Sequence, residues 1–500
     1  MSQPAPSIDD RGPWPPCPAP FNLAAHVLRR ADELADKSAL QIVRPTGAER
    51  WSYGRLQAAV RGCGTGLLAL GLQRGDRVLM RVGNTVEFPV LFLGAVAAGL
   101  MPVPTSAGLT GAEITPLAAR IAPRLIVAAD GVALPDPAPC PVLPVSAITA
   151  MESLPPCDWQ RGDPDRAAYA VVTSGTSGRA QVVVHAHRAV WARGMMHQGW
   201  EGLGEADRLL HAGAFNWTYT LGTGLLDPWT VGATALIPGA GVTPPQLPLL
   251  LKRFDATVFA AAPGIFRQML RAPVPPLPKL RHALSAGEAL PDATRAGWRD
   301  ATGTEVYEAL GMSEISTFVS ASPDRPAPAG ATGYAQAGRH IAVLDDRGQP
   351  VPRGIAGVLA VDRRDAGLML HYLDDPAATA ARLSGEWFVT GDQAIMAEDG
   401  AITYLGRADE MMNAGGFRTA PSEVEAALAP LLPDCAVTEV EVAPGTRIVA
   451  CFYAAPAPVD PAVLQAHAET CLARWKQPRH WQRLDALPRN ANNKLDRRAL

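Results

Sequence analysis

The chain has 500 residues, 48% of them hydrophobic and 19% charged, and its 45 basic and 48 acidic side chains give a formal charge of −3. This is globular composition, too long for one hydrophobic core, which predicts two or three domains and excludes disordered and fibrous classes. The near-balanced charge, without a long Lys or Arg run, excludes a nucleic-acid or anionic-membrane surface.

The polar, Pro-rich start MSQPAPSIDDRGPWPP lacks the basic and apolar segments of a signal peptide. Residues 50–72 space apolar residues as a helix, and 75–82, GDRVLMRV, read as a strand. This alternation over the first 130 residues predicts an α/β domain with parallel strands. The most apolar run, Pro89 to Pro104, falls short of the roughly 20 residues of a membrane span and is read as a buried helix. The Pro-rich stretch 134–157 is read as a surface connection.

From Ala167 to Arg299 strands and helices alternate again, and 323–330, PDRPAPAG, form a loop. GVLAVD, EWFVTG and AITYLG follow as short antiparallel strands. Ser422 and Glu425 have the spacing of a capping box at a helix start. The change of texture after Gly406 places a boundary near 407–409, with domains 1–408 and 409–500. Seven Cys with no C-x-x-C pair predict reduced thiols in a cytoplasmic enzyme.

The segment with the strongest chemical signal runs from Thr173 through Ser174, Gly175, Thr176 and Ser177 to Gly178, between the strand patterns AAYAVV and VVVH. Glycine lets a backbone approach phosphate closely, and hydroxyls and N–H groups donate to its oxygens. A flexible Ser/Gly linker is the alternative, but linkers do not usually sit between two apolar strands.

TSGTSG is similar to the phosphate loop of the acyl-adenylate-forming (AMP-binding) superfamily: acyl-CoA synthetases, firefly luciferases and peptide-synthetase adenylation domains. Four further segments agree in order. Glu308-Ala-Leu-Gly-Met-Ser-Glu314 resembles the motif lying against adenine and the α-phosphate. Thr390-Gly-Asp392 resembles the ribose-binding motif. Gly406 to Glu410, followed by Gly415 to Arg418, resembles the hinge between two domains. Pro488 to Lys494 resembles the loop of the catalytic lysine.

The resemblance implies a large multi-layer α/β N-terminal domain and a small α+β C-terminal domain carrying that lysine. It implies ATP, Mg2+ and coenzyme A as cofactors. It makes Lys494, Glu314 and Thr176 catalytic, with Glu314 on the metal. Nucleotide contacts fall to the loop 173–178, to Gly287, Glu288, Ala289, Glu308, Leu310, Gly311 and Ser313, and to Asp392, Arg407 and Lys494. Asp409 is the hinge, and Gly416 lies beside the incoming thiol.

The chemistry explains these residue types. A carboxylate is a poor acyl donor, and attack on the α-phosphorus of ATP gives an acyl-AMP with a good leaving group. Anionic oxygens must meet there, so positioning and cationic stabilisation carry the catalysis. On local sequence alone, Lys494 reads as a solvated tail residue and Arg407 as a surface Arg. Asp392 reads equally as a turn residue, and Glu314 as a helix-start Glu.

Leu284 to Pro291 and Asn216 to Gly224 resemble segments of the benzoate–CoA ligase branch. That branch also tends to carry an aliphatic residue where this chain has Leu310. Phe215, Trp217, Tyr219 and the backbone at Gly287 and Gly311 would line the acid pocket, with core packing as the alternative for each aromatic. His185 and His187 form an H-x-H pair without an evident third ligand, which argues against zinc. Gln181 stands where the family's loop usually closes with Lys, which predicts weaker ATP binding or altered pyrophosphate release.

The reading is an acid–CoA ligase acting through acyl-AMP on an aromatic or alicyclic acid, with no membrane span and no nucleic-acid partner. A homodimer, transfer to a separate carrier protein, and a non-catalytic adenylate-binding homologue remain open alternatives.

Overall fold

The computed structural model describes residues 5–173, 180–408, 410–414, 417–443, 446–489 and 495–500. The strand pair β1 (Ser38–Arg44) and β2 (Gly47–Ser52) leads into α1 (Tyr53–Ala69), whose first turn is capped by the Ser52 side chain accepting from Arg55 N. There follow β3 (Arg77–Arg81), α2 (Glu87–Ala97), β4 (Met101–Pro104), α3 (Gly111–Ile121), β5 (Leu125–Ala128), β6 (Val142–Pro144) and α4 (Ser146–Met151). Strands β4, β3, β5 and β6 lie side by side in parallel, as the alternating pattern predicts.

Two local expectations are corrected. The run Pro89–Pro104 is not one helix: α2 ends at Ala97, Gly99 turns at φ +80°, and β4 takes the rest. Pro102 and Pro104 cannot donate to a ladder, and β4 accommodates them at the sheet edge. Within 134–157 the chain forms the edge strand β6 and packs α4 against α1 through buried Ile148. A side chain at Gly62 of α1 would lie 2.6 Å from the Met151 carbonyl, so this glycine permits the approach.

The hairpin β7 (Ala167–Val172) and β8 (Val182–Ala186) is antiparallel. Beyond it come β9 (Arg208–Ala212), α5 (Thr218–Leu221), β10 (Thr234–Pro238), β11 (Val258–Ala261), β12 (His282–Ala286), β13 (Val306–Met312) and β14 (Ser316–Ser320). With β1 and β2 they build a sheet whose parallel centre runs β1-β10-β9-β11-β12-β13. Such strands, covered on both faces, read as continuous apolar runs.

Next come β15 (Ala356–Asp362), β16 (His371–Tyr372), β17 (Trp387–Met396) and β18 (Ile402–Arg407). β15, β17 and β18 pair antiparallel, as their sequences suggest, and β16 adds to β8. Residues 323–330 lie outside helix and strand.

The last stretch folds α6 (Pro421–Leu428), β19 (Cys435–Ala443), β20 (Thr446–Ala454), α7 (Pro461–Cys471) and β21 (His480–Leu484) around Val424, Leu428, Val449 and Leu464. Ser422 and Glu425 do not form the expected capping box. Ala420 is the cap residue and Pro421 opens the helix, Ser422 Oγ donates to Leu405 O at 2.8 Å, and Glu425 holds Arg497 at 2.7 and 2.9 Å. Both side chains serve tertiary contacts instead of the local turn.

Among the described residues, no helix is long and apolar enough to cross a membrane. The architecture is α/β with mixed sheets.

Candidate active site

A cleft of about 2600 Å³ opens where the parallel strands end, bordered by Thr173, Gly287, Glu308, Gly311, Glu314, Asp392 and Arg407. The loop after parallel strands is where α/β proteins place ligands. After β12, Gly287 adopts φ +99°, a conformation L side chains rarely take. This turn presents Glu288 and Ala289 to the cleft.

On β13, Glu308 is buried, accepts from Leu290 N at 3.1 Å and pairs with Arg295 at 2.8 Å. Burial nevertheless pushes its carboxyl up to about 7, against the opposing pull of Arg295. A carboxyl raised in the folded state contributes stability that is complete below its unfolded value and is lost as pH rises through about 7. The loss is roughly 3 kcal/mol at most. Glu308→Gln is expected to flatten the fall in urea midpoint between pH 5 and about 8. An unchanged slope would assign that fall to other groups.

The β13–β14 pairing slips its register between Leu310 and Gly311. A Cβ on Gly311 would lie 2.6 Å from Ser316 O and 2.7 Å from Thr317 Cα, so only glycine lets the two strands close here. The bulge carries Leu310, Gly311, Ser313 and Glu314 to the cleft wall. Behind it, His185 Nε2 lies 2.7 Å from Ser313 O, and its ring stacks on Tyr169 at 5.0 Å. Burial lowers this imidazole to about 4, so it is neutral near pH 7, and its Nε2–H donates to the carbonyl. His187 faces elsewhere and accepts from Leu23 N at 3.0 Å through Nδ1. The H-x-H pair is thus engaged at two separate structural posts.

Glu314 is buried and accepts from the Tyr372 hydroxyl at 2.6 Å. Also bordering the cleft, Asp392 and Arg407 are register partners on β17 and β18, and Arg407 Nη1 donates to Asp392 Oδ1 at 3.1 Å and to Thr390 O at 3.0 Å. Burial raises the Asp392 carboxyl, with Arg407 opposing. Gly391, at φ +79°, lies beneath two guanidiniums: a Cβ there would be 2.9 Å from Arg407 and 3.1 Å from Arg382.

The C-terminal segment docks on the same cleft. Arg489 and Leu495 form an antiparallel bridge, Leu495 N donates to Glu288 Oε1 at 2.9 Å, and Arg489 Nη1 lies 3.6 Å from the same oxygen.

A family model described as AMP-binding enzyme matches residues 27–373. The chain belongs to the AMP-binding enzyme family. It is 28% identical to the benzoate–CoA ligase of Thauera aromatica, over 98% of each chain. It is also 28% identical to human mitochondrial acyl-coenzyme A synthetase ACSM2B, over 97% of this chain and 91% of that protein. Its fold superposes on a benzoate CoA ligase structure from Burkholderia xenovorans with a TM-score of 0.87 at 27% identity, covering 96% of this chain and 99% of that one. The protein is an enzyme, a ligase of the acyl-CoA synthetase type.

In this AMP-binding enzyme the cleft gathers Thr173, Gly287, Glu288, Ala289, Glu308, Leu310, Gly311, Ser313, Glu314, Asp392 and Arg407 from distant parts of the chain. Ser174, Gly175, Thr176, Ser177, Gly178, Asp409, Gly416 and Lys494 lie outside the described residues.

The three aromatics do not border this cleft. Phe215 is core, packed on Phe88 at 5.1 Å. Tyr219 donates to Leu284 O at 3.1 Å and meets Trp217 at 5.1 Å and His211 at 4.3 Å, in a cluster behind β12.

Tyr372, Arg382 and Arg295 belong to the site but are not marked by a sequence motif, and Arg489 lies within the Pro488–Lys494 motif without an expected role. Tyr372 and Arg489 act on motif residues far away in the chain, Glu314 and Glu288, while Arg295 and Arg382 act on Glu308 and Thr390, thirteen and eight residues on. Only the apolar run around β16, which pairs with β8, offers a signal for Tyr372.

The Glu314 carboxylate, a hard oxygen donor on the cleft wall, suits a magnesium ion shared with phosphate oxygens. Half-buried His197 and buried Glu201 and Asp227 bring ligand atoms within 4.8 Å of one another. There Arg193 Nε already occupies Asp227 at 2.7 Å, so a metal ion would face a guanidinium.

Proposed function

We propose that this enzyme condenses a carboxylic acid with ATP to acyl-AMP and pyrophosphate, then transfers the acyl group to coenzyme A with release of AMP. An aromatic or alicyclic acid is the preferred substrate. The observation that carries the reading is the convergence, on one cleft, of the phosphate-loop flank Thr173, the 311–314 bulge, the Asp392–Arg407 pair and the docked segment around Arg489 and Leu495.

In the first step a carboxylate oxygen bonds the α-phosphorus, the bond to the bridging oxygen breaks, and pyrophosphate leaves. Asp392 would hold the ribose hydroxyls, with Arg407 fixing its orientation. Ser313 and the loop donors would hold phosphate oxygens, and Glu314 would hold Mg2+, which neutralises phosphate charge. Lys494 would bridge the acid and the α-phosphate. In the second step the thiol sulfur bonds the acyl carbon and AMP departs, with the thiol proton going to solvent. Interactions made as charge develops lower the barrier, and positioning supplies much of the rest.

The apolar cores at 412–500 are built from that segment alone, which supports two domains, 1–408 and 409–500, about a hinge at Asp409. The aromatic preference is supported by the 28% identity to a benzoate–CoA ligase. The test is an acid-dependent pyrophosphate-release screen over benzoates, cyclic acids and fatty acids, with and without CoA. Release with benzoates and a CoA-dependent thioester product are expected. Acyl transfer only to a phosphopantetheinylated carrier would replace CoA as the acceptor, and no release with any acid would overturn the reading.

A further inference from the structure

We propose that Arg193 is a positioning residue for adenylation: through Ser316 it fixes the turn that presents Ser313 and Glu314 to the cleft. The proposal rests on the adenylation reading above. Between β13 and β14 the chain reverses through Ser313, Glu314 and Ile315. Ile315 N donates back to Met312 O at 3.3 Å, and Met312 and Ser316 are register partners at the mouth of the turn. Ser316 closes it with φ +68°, in the left-handed region that glycine takes freely and other residues take at a cost. A serine stays there only where its surroundings hold it.

The holding group is a buried guanidinium. Arg193 Nη1 donates to Ser316 Oγ at 2.5 Å, and Ser316 Oγ donates in turn to Met196 Sδ at 3.8 Å. Arg193 is itself fixed from several sides. Its Nε donates to Asp227 Oδ1 at 2.7 Å, and its Nη2 donates to Asp227 Oδ2 and, at 3.2 Å, to Thr223 Oγ1. Its plane presses on Gly222, where a Cβ would lie 2.1 Å from Arg193 Cζ.

Arg193 is not among the residues that border the cleft, so it acts there through Ser316. The planar fork suits this role, because two nitrogens reach Asp227 while the third reaches Ser316. A lysine carries the charge on one nitrogen and cannot span both partners in the same way. A buried ion pair alone accounts for Asp227 but not for a left-handed serine at 316.

The test is a double-variant cycle on the full-length enzyme, read by single-turnover pyrophosphate release with acid and by equilibrium binding of AMP. Arg193→Lys keeps a cation beside Asp227 and is expected to slow release about tenfold, because a loosened turn misplaces Ser313 and Glu314. Ser316→Ala leaves the Arg193–Asp227 pair intact and should slow release similarly. Ser316→Gly takes the left-handed conformation unaided, so in that background Arg193→Lys should slow release by less than about twofold. AMP affinity should stay within about threefold throughout, because Asp392 and Arg407 are untouched. Unchanged release in Arg193→Lys or Ser316→Ala, equal slowing by Arg193→Lys in the serine and glycine backgrounds, or a matching loss of AMP affinity in a folded variant would each overturn the proposal. Should Arg193→Lys fail to fold, Ser316→Ala and Ser316→Gly decide, with faster release in the glycine variant sustaining the proposal and equal release overturning it. Absence of release by the unaltered enzyme with every acid would overturn the adenylation reading, and this proposal with it.

Discussion

Lys494→Ala is expected to cut acid-dependent pyrophosphate release roughly a hundred- to a thousandfold, the loss associated with removing one donor from a developing oxyanion. Transfer of a preformed acyl-AMP to CoA should stay within about threefold, because a contact made in only one transition state affects only that step. The physical ground is charge: a carboxylate and a triphosphate repel until a cation stands between them. Leu495, next in the chain, donates to Glu288 on the cleft wall, and Arg489 reaches the same carboxylate from the other side of the segment. Single-turnover measurement of the two half-reactions checks the expectation. Equal loss in both would remove the assigned role.

Asp365→Ala is expected to destabilise the protein by about 3–5 kcal/mol, since it leaves a buried guanidinium without its counter-charge. The Arg339 and Asp365 side chains are 0% and 1% exposed and form a direct ion pair. Arg339 Nη2 also donates to Thr317 O at 2.9 Å, and Asp365 accepts from Gly367 N at 2.7 Å. Thr317 opposes Gly311 across the bulge, so the pair braces the segment that presents Ser313 and Glu314. Urea unfolding gives the magnitude. The double replacement Arg339→Met/Asp365→Leu should recover most of the loss, because an apolar pair has no desolvation cost. A single variant with an unchanged midpoint would show that the pair adds nothing to stability.

Much of the site was legible because its motifs are local. Thr390-Gly-Asp392 reads as a turn with a carboxylate, and the structure gives Gly391 a positive φ and places it under two arginines. Gly311 likewise marks the bulge where two strand backbones touch. The partners were not legible. Glu308 with Arg295, Glu314 with Tyr372 and Glu288 with Arg489 are charge or hydrogen-bond pairs made across folded surfaces, and nothing beside either residue announces them. Ser422 and Glu425 show the converse. A four-residue spacing suggests a cap, yet stronger tertiary partners, Leu405 O and Arg497, take both side chains.

The class of chemistry and the α/β character were legible in the amino-acid sequence. Phosphate loops, ribose carboxylates and strand–helix alternation are written in runs of a few residues whose local conformation carries their meaning. The tertiary structure alone decided which cation stands beside Gln181, which carboxylates are buried, and that Phe215 packs in the core while Glu314 faces the cleft. Those outcomes depend on desolvation and on distances between residues far apart in the chain, quantities that exist only once the strands have converged.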